Sequence, residues 1–226
     1  MQVQRISSEF RSQVSAFGFW STLRAFVLRA IKRVIDFKVL RALCITVVAP
    51  GFLEIPAGMS GDFLDRETLR RMTADVKYDL TPEFLDEALA KGDQCYAILD
   101  GDQPAAYGWY AHSPTRMSDG LLVQFDPAYV YMYKGLTLDA YRGRRLHAIA
   151  MTRALAACKA KGFKGLVSYI EADNLTSLKS AHRMGYVDFG WVFIFKIMGR
   201  YATVRTPGCA ALGFGLAPAS RNGSAP

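Results

Sequence analysis

From residue 20 to residue 36 apolar positions recur every three or four residues. At 100° per residue, Leu23, Phe26, Val27, Ala30, Ile31, Val34 and Ile35 share one arc. Ser21, Thr22, Arg29, Lys32, Arg33 and Asp36 share the other, with Arg24 and Leu28 at the borders. The pattern predicts an amphipathic, basic helix entered through Phe19-Trp20. Such a helix either packs on a domain with its basic face in water, or lies in the plane of an anionic membrane surface with its Trp, Phe and Leu side chains inserted.

After residue 36 the helical phase is lost, and 39–48 is β-branched and strand-like. Residues 65–74 and 81–91 return to helical spacing, the second opened by Thr81 with Pro82 at its first position. Two apolar runs, 95–99 and 105–111, flank Asp100-Gly101-Asp102 and predict a hairpin. Residues 112–120 read as a polar loop, and 129–138, rich in tyrosine and β-branched residues, as a central strand. The next helix turns Ala148, Met151, Leu155 and Cys158 away from Arg153 and stops at Gly162. A strand (166–170), a helix (175–184) and a long strand (187–198) complete the alternation. This order predicts an α/β fold, a mixed sheet with helices on both faces.

Composition adds boundaries. The chain has 226 residues, 51% of them hydrophobic, enough for one sizeable core with an appendage. We divide it into a basic helical arm (1–38), a single domain (39–205) and a Gly/Ala/Ser/Pro-rich tail (206–226) expected to be disordered. Net charge is +8. The first 45 residues carry eight basic side chains against only Glu9 and Asp36, so most of the excess sits in the arm. Cys44, Cys95, Cys158 and Cys209 lack the spacing of a zinc site or redox dithiol, and the three histidines are scattered, so no metal is expected. The cysteines read as reduced packing residues, with the exposure of Cys209 left open. No apolar run approaches the roughly 18 residues of a membrane span, and no signal peptide is evident. The expected location is cytoplasmic, with the arm allowing a peripheral place at a membrane.

The chemistry concentrates where the central strand meets its helix. Arg142-Gly143-Arg144-Arg145 places three cations at a helix start, where exposed N–H groups and the macrodipole favour an anion. Such a turn beside diverging strands suits a pyrophosphate. Glu171, at a strand end, is a candidate general base. His182 and His147 are weaker acid–base candidates, lone histidines being mostly packing or surface. Tyr129, Tyr131 and Tyr133 alternate on one face and read as core.

Over roughly residues 60–200 the segments "YKGLTLDAYRGRRLHAIAMTRAL" and "VSYIEADNLTSLKSAHRMGY" resemble the GNAT superfamily of acyl-CoA-dependent N-acyltransferases. The resemblance implies a mostly antiparallel sheet with splayed central strands. It also implies acetyl-CoA or another acyl-CoA as co-substrate, its pantetheine beside Leu136, Thr137 and Leu138. The pyrophosphate would lie on Gly143, Arg144, Arg145, Leu146, His147 and Ala148, after Arg142. Asn174, Ser177 and Gly185-Tyr186 match the family's later motif. Two departures stand out: the family glycines are replaced by Arg145 and His147, and the tyrosine that many members use as acid aligns with Ala181.

Three classes of function follow. One is an acyltransferase, in the first place an acetyltransferase, in which a small-molecule amine attacks the thioester directly. Another is a peripheral membrane acyltransferase whose residues 19–36 bring it to a lipid or lipid-linked acceptor. The third is an acyl-CoA binder without catalysis. Nucleic acid is not expected, because no aromatic stacking platform or groove-reading motif accompanies the basic arm.

Overall fold

The computed structural model describes residues 2–32, 37–118, 120–197 and 200–219. Two helices open the chain, α1 (Gln2–Phe17) and α2 (Phe19–Lys32), hinged at Gly18, whose φ of 83° suits glycine. Then follow β1 (Phe37–Ile45), β2 (Met59–Phe63), α3 (Arg66–Thr73), α4 (Pro82–Ala90), β3 (Gln94–Asp100) and β4 (Gln103–Ala111). A short hairpin, β5 (Thr115–Ser118) and β6 (Leu121–Gln124), precedes β7 (Tyr129–Thr137) and α5 (Leu146–Ala160). The chain continues through β8 (Gly165–Glu171), α6 (Leu175–Arg183), β9 (Val187–Ile197), β10 (Arg200–Arg205), α7 (Pro207–Ala211) and β11 (Gly215–Pro218).

Eight strands form one sheet in the order β10-β9-β1-β8-β7-β4-β3-β2; β11-β6-β5 form a second. Among the described residues every pairing is antiparallel except β7 with β8. The alternation of side chains along each strand builds two faces. One carries α5, α6 and α2 over Leu43, Ile98, Tyr110, Val130 and Leu166. The other is divided: α3 and α4 cover Ala97, Tyr107 and Trp109, while the small sheet and α7 cover Leu40, Tyr131, Val167 and Val192. Tyr133 stands on the line between these two clusters, packed against both.

Three expectations are corrected. The tail does not begin at 206: α7 and β11 fold onto the small sheet, β11 pairing with β6 and burying Phe214 and Leu216. Cys209 is fully buried there, and residues 220–226 lie outside the described ones. The polar loop of 112–120 contains β5 and leads directly into β6. Finally, α2 docks through the side assigned as polar, because the small Thr22 and Ala25 let its backbone approach β1 and α6, and both are completely buried. Phe26 packs on Phe10 of α1, Arg24 lies over Trp191, and Trp20 remains 78% exposed. Arg33, Val34, Ile35 and Asp36 of the expected helix lie outside the described residues. No helix among the described residues is long and apolar enough to cross a membrane.

Candidate functional site

β7 and β8 run parallel and pair only over Tyr129–Tyr131 and Gly165–Val167. Beyond that point they separate, although β7 continues to Thr137 and β8 to Glu171. At the apex the Ser168 hydroxyl donates to the Met132 carbonyl (2.9 Å), replacing a ladder bond that separation removes. The divergence is built into β7. Trp109 pairs with Tyr133 but Tyr107 with Leu136, so β7 has one residue more than β4 over this interval. That bulge falls at Lys134-Gly135, with Lys134 at a φ of 43° and its ammonium on Asp79 (2.8 Å).

The bulge also aims the backbone. Leu138 N–H donates to Ala105 O (3.0 Å). In an antiparallel ladder bonded and non-bonded pairs alternate, so Leu136 bonds back to Tyr107 and the Thr137 N–H and C=O point away from β4, into the gap. Of the three expected strand residues, Thr137 therefore offers its backbone to the fork.

A cavity of about 350 Å³ fills the fork, lined on the helical face by His147, Ser177, Ser180 and Ala181 and on the other by Tyr131, Tyr133 and Tyr169. α6 turns residues 177, 180, 181 and 184 towards it, at helical spacing. His147, in the first turn of α5, lies across the strand: a Cβ at Gly135 would stand 2.5 Å from its Cε1. Burial lowers the imidazole pKa, so His147 is neutral near pH 7.

At the mouth stands the arginine turn. Asp65, Thr81 and Asn174 cap α3, α4 and α6 by accepting backbone N–H bonds. α5 has no such cap and no acid in its first turn; its N-cap is Arg145, in the left-handed region at a φ of 61°. The N–H groups of Leu146, His147 and Ala148 consequently begin the helix without intrahelical acceptors. Gly143, at a φ of 81°, turns the chain so that a Cβ there would meet only open space. Arg142 pairs with Asp139 (2.8 Å), and Arg144 lies over Tyr141. Leu146 and Ala148 bury their side chains, leaving only their amides for a ligand.

Other expected residues lie elsewhere. The Asn174 side chain accepts from Ser177 N–H (3.1 Å), so it is engaged as a helix cap. Glu171 ends β8 beside Lys38 (3.8 Å) and does not line the cavity. His182 is on the far side of α6, with Nε2 3.2 Å from Asp188, which Arg41 also pairs with. Neither residue meets the fork. Ala181 does line it, where the resemblance places a tyrosine in other members. Tyr133, expected in the core by its alternation with Tyr129 and Tyr131, reaches the cavity with its side chain and donates to Asp93 (2.6 Å). No local motif joins residues 93 and 133, so only the strand register could have revealed the pair.

Residues 62–186 match the family model described as Acetyltransferase (GNAT) family. No curated protein matches the sequence. Among solved structures, one described as a putative acetyltransferase from the GNAT family of Novosphingobium aromaticivorans is similar, with 17% identity and a TM-score of 0.51. The match covers 70% of this chain and 62% of that one, so the chain spans less than two thirds of its length. A GCN5-related N-acetyltransferase-like protein of Streptococcus suis has 16% identity over 79% of this chain and 67% of that one, with a TM-score of 0.49.

Proposed function

Because the chain belongs to the GNAT acetyltransferase family, we propose that it is an acyl-CoA-dependent N-acyltransferase acting on an amine in a ternary complex. The observation that carries this reading is the uncapped, arginine-flanked start of α5 at the mouth of an open strand fork. The residues there fit a coenzyme A thioester. A diphosphate suits the free amides of Leu146, His147 and Ala148 with Arg144 and Arg145 beside them. An amide-bearing arm suits the Thr137 backbone, which has donor and acceptor facing the gap. His147 narrows this path, and its neutral ring can donate or accept one hydrogen bond.

The thioester supplies an activated carbonyl. The chain supplies orientation, holding carbonyl and amine together in a walled cleft. It also supplies the backbone of the Lys134-Gly135 bulge, which lines the cavity; an N–H there aimed at a developing oxyanion would be worth about 3 kcal/mol. Acetyl is the acyl group we favour, since the rings of Tyr131, Tyr133 and Tyr169 line the far side of the fork and narrow the space for a longer chain.

A second reading, binding of acyl-CoA without turnover, draws on Ala181, which has no proton to give a departing thiolate. Thiol release from acetyl-CoA in the presence of primary amines separates the two. Turnover above the solvent rate supports the transferase, and binding without release supports the second reading.

A further inference from the structure

The fork cavity shares one wall with a second cavity of about 350 Å³ on the divided face of the sheet. This groove runs between α4 and β5, with Phe84 and Glu87 on one side and Thr115, Arg116 and Met117 on the other. Tyr133 lines both cavities. Its ring is fixed by stacking on Tyr131 (5.5 Å, 7° between planes) and by the edge-to-face approach of Phe84 at 6.1 Å.

The hydroxyl is fixed as well. It donates to Asp93 Oδ2 at 2.6 Å, and Lys91 Nζ lies 3.0 Å from the same oxygen. The Asp93 side chain is 0% exposed, and its Oδ1 has no hydrogen-bond partner among the described residues. Burial, followed by the bond to Asp93, pushes the phenol pKa up, so the proton stays on oxygen. A phenol whose proton is committed to a carboxylate can only accept from a ligand.

We propose that Tyr133 receives the acceptor: a primary amine enters through the α4–β5 groove and donates an N–H to the Tyr133 oxygen, which Asp93 holds in the accepting orientation. The proposal rests on the acyltransferase reading and deepens it. The groove's charges favour an amine. Glu83 and Glu87 line it against Lys91 and Arg116; Lys91 is held by Asp93 and Arg116 by Glu87 (3.7 Å), which leaves one carboxylate in excess. Glu83 is ionised, its pKa lowered by its own backbone N–H and by Thr81 at the start of α4. Once its ammonium proton has passed to solvent, an amine nitrogen on Tyr133 stands at the junction of the cavities, where its lone pair can face a carbonyl held in the fork.

The test is calorimetric titration with two probes: coenzyme A, and a coenzyme A thioether carrying an N-butylacetamide arm, whose amide N–H takes the place of the amine. Wild-type protein should bind the thioether more tightly than coenzyme A. Tyr133→Phe should weaken the thioether by about tenfold, one hydrogen bond's worth, and leave coenzyme A unchanged. Met117→Trp, which narrows the groove without touching Tyr133's hydrogen bond, should also weaken the thioether alone. Thermal midpoints establish that both variants are folded. Wild-type affinity for the thioether in both variants overturns the proposal while the acyltransferase reading stands. Absence of coenzyme A binding to wild-type protein removes that reading and this one with it.

Discussion

The two ends of the fork solve opposite electrostatic problems. At the mouth, Arg144 and Arg145 are exposed beside a helix terminus of their own sign, next to Arg142 paired with Asp139, so positive charge is in excess there and suits an anion. At the far end, Lys91, Asp93 and Tyr133 satisfy one another in the interior, and one carboxylate oxygen is left over. Charge at the mouth should therefore matter to binding and little to stability. Charge at the far end should matter to both.

Asp93→Ala breaks the interior cluster most sharply. It leaves the Lys91 ammonium and the Tyr133 hydroxyl without their partner and should cost about 3 kcal/mol of unfolding free energy in urea titration. A loss under 1 kcal/mol would mean that water replaces the carboxylate and that the interior end is not tightly built.

At the mouth, Arg144→Glu should weaken coenzyme A by about 1.5–3 kcal/mol in calorimetry, the cost of losing a charged hydrogen bond. Its urea midpoint should hold, since an acid in this position suits the helix terminus. Equal affinity in variant and wild type would put the diphosphate elsewhere.

A smaller effect separates backbone from charge at the same place. Arg145 occupies the left-handed region that glycine favours. Arg145→Gly and Arg145→Ala both remove the guanidinium, but only alanine keeps the strain. The glycine variant should be more stable by about 1 kcal/mol. Equal midpoints would show that position 145 carries no strain.

The least effect is expected from pH. Burial lowers the pKa of His147, and burial with nearby Lys161 lowers that of His112 against the opposing pull of Asp93. The unfolded chain, titrating near 6.5, then takes up protons before the folded one. Stability should be full above that pH and fall as pH drops below it. Replacing both histidines by asparagine should flatten the thermal midpoint between about pH 5 and 7. An unchanged slope would assign the acid sensitivity to other groups.

The same contrast sets what could be read from the chain alone. The mouth is local: residues 136–148 contain strand, turn and helix start, and periodicity with charge exposes them. β3, β4, α5, β8 and α6 follow from patterns of similar range. The interior end joins residues 91, 93 and 133 through the β3–β4–β7 register, which no local pattern encodes. Nor does periodicity place β1 between β8 and β9, a pairing across most of the chain. β5, β6 and β11 have four residues each, too few to show alternation, and the Gly/Ala-rich composition around 207–218 conceals Cys209, Phe214 and Leu216, which bury it. α2 docks by its small residues rather than its large ones, which a hydrophobicity pattern ranks in the wrong order.

Amide hydrogen exchange with and without coenzyme A tests the central claim, that the fork receives the thioester, at the atoms concerned. Thr137 and the first-turn amides of Leu146, His147 and Ala148 should slow markedly when coenzyme A is added. Leu138, already bonded to Ala105, should change little. Unaltered exchange at Thr137 and at residues 146–148 under saturating coenzyme A would contradict the account.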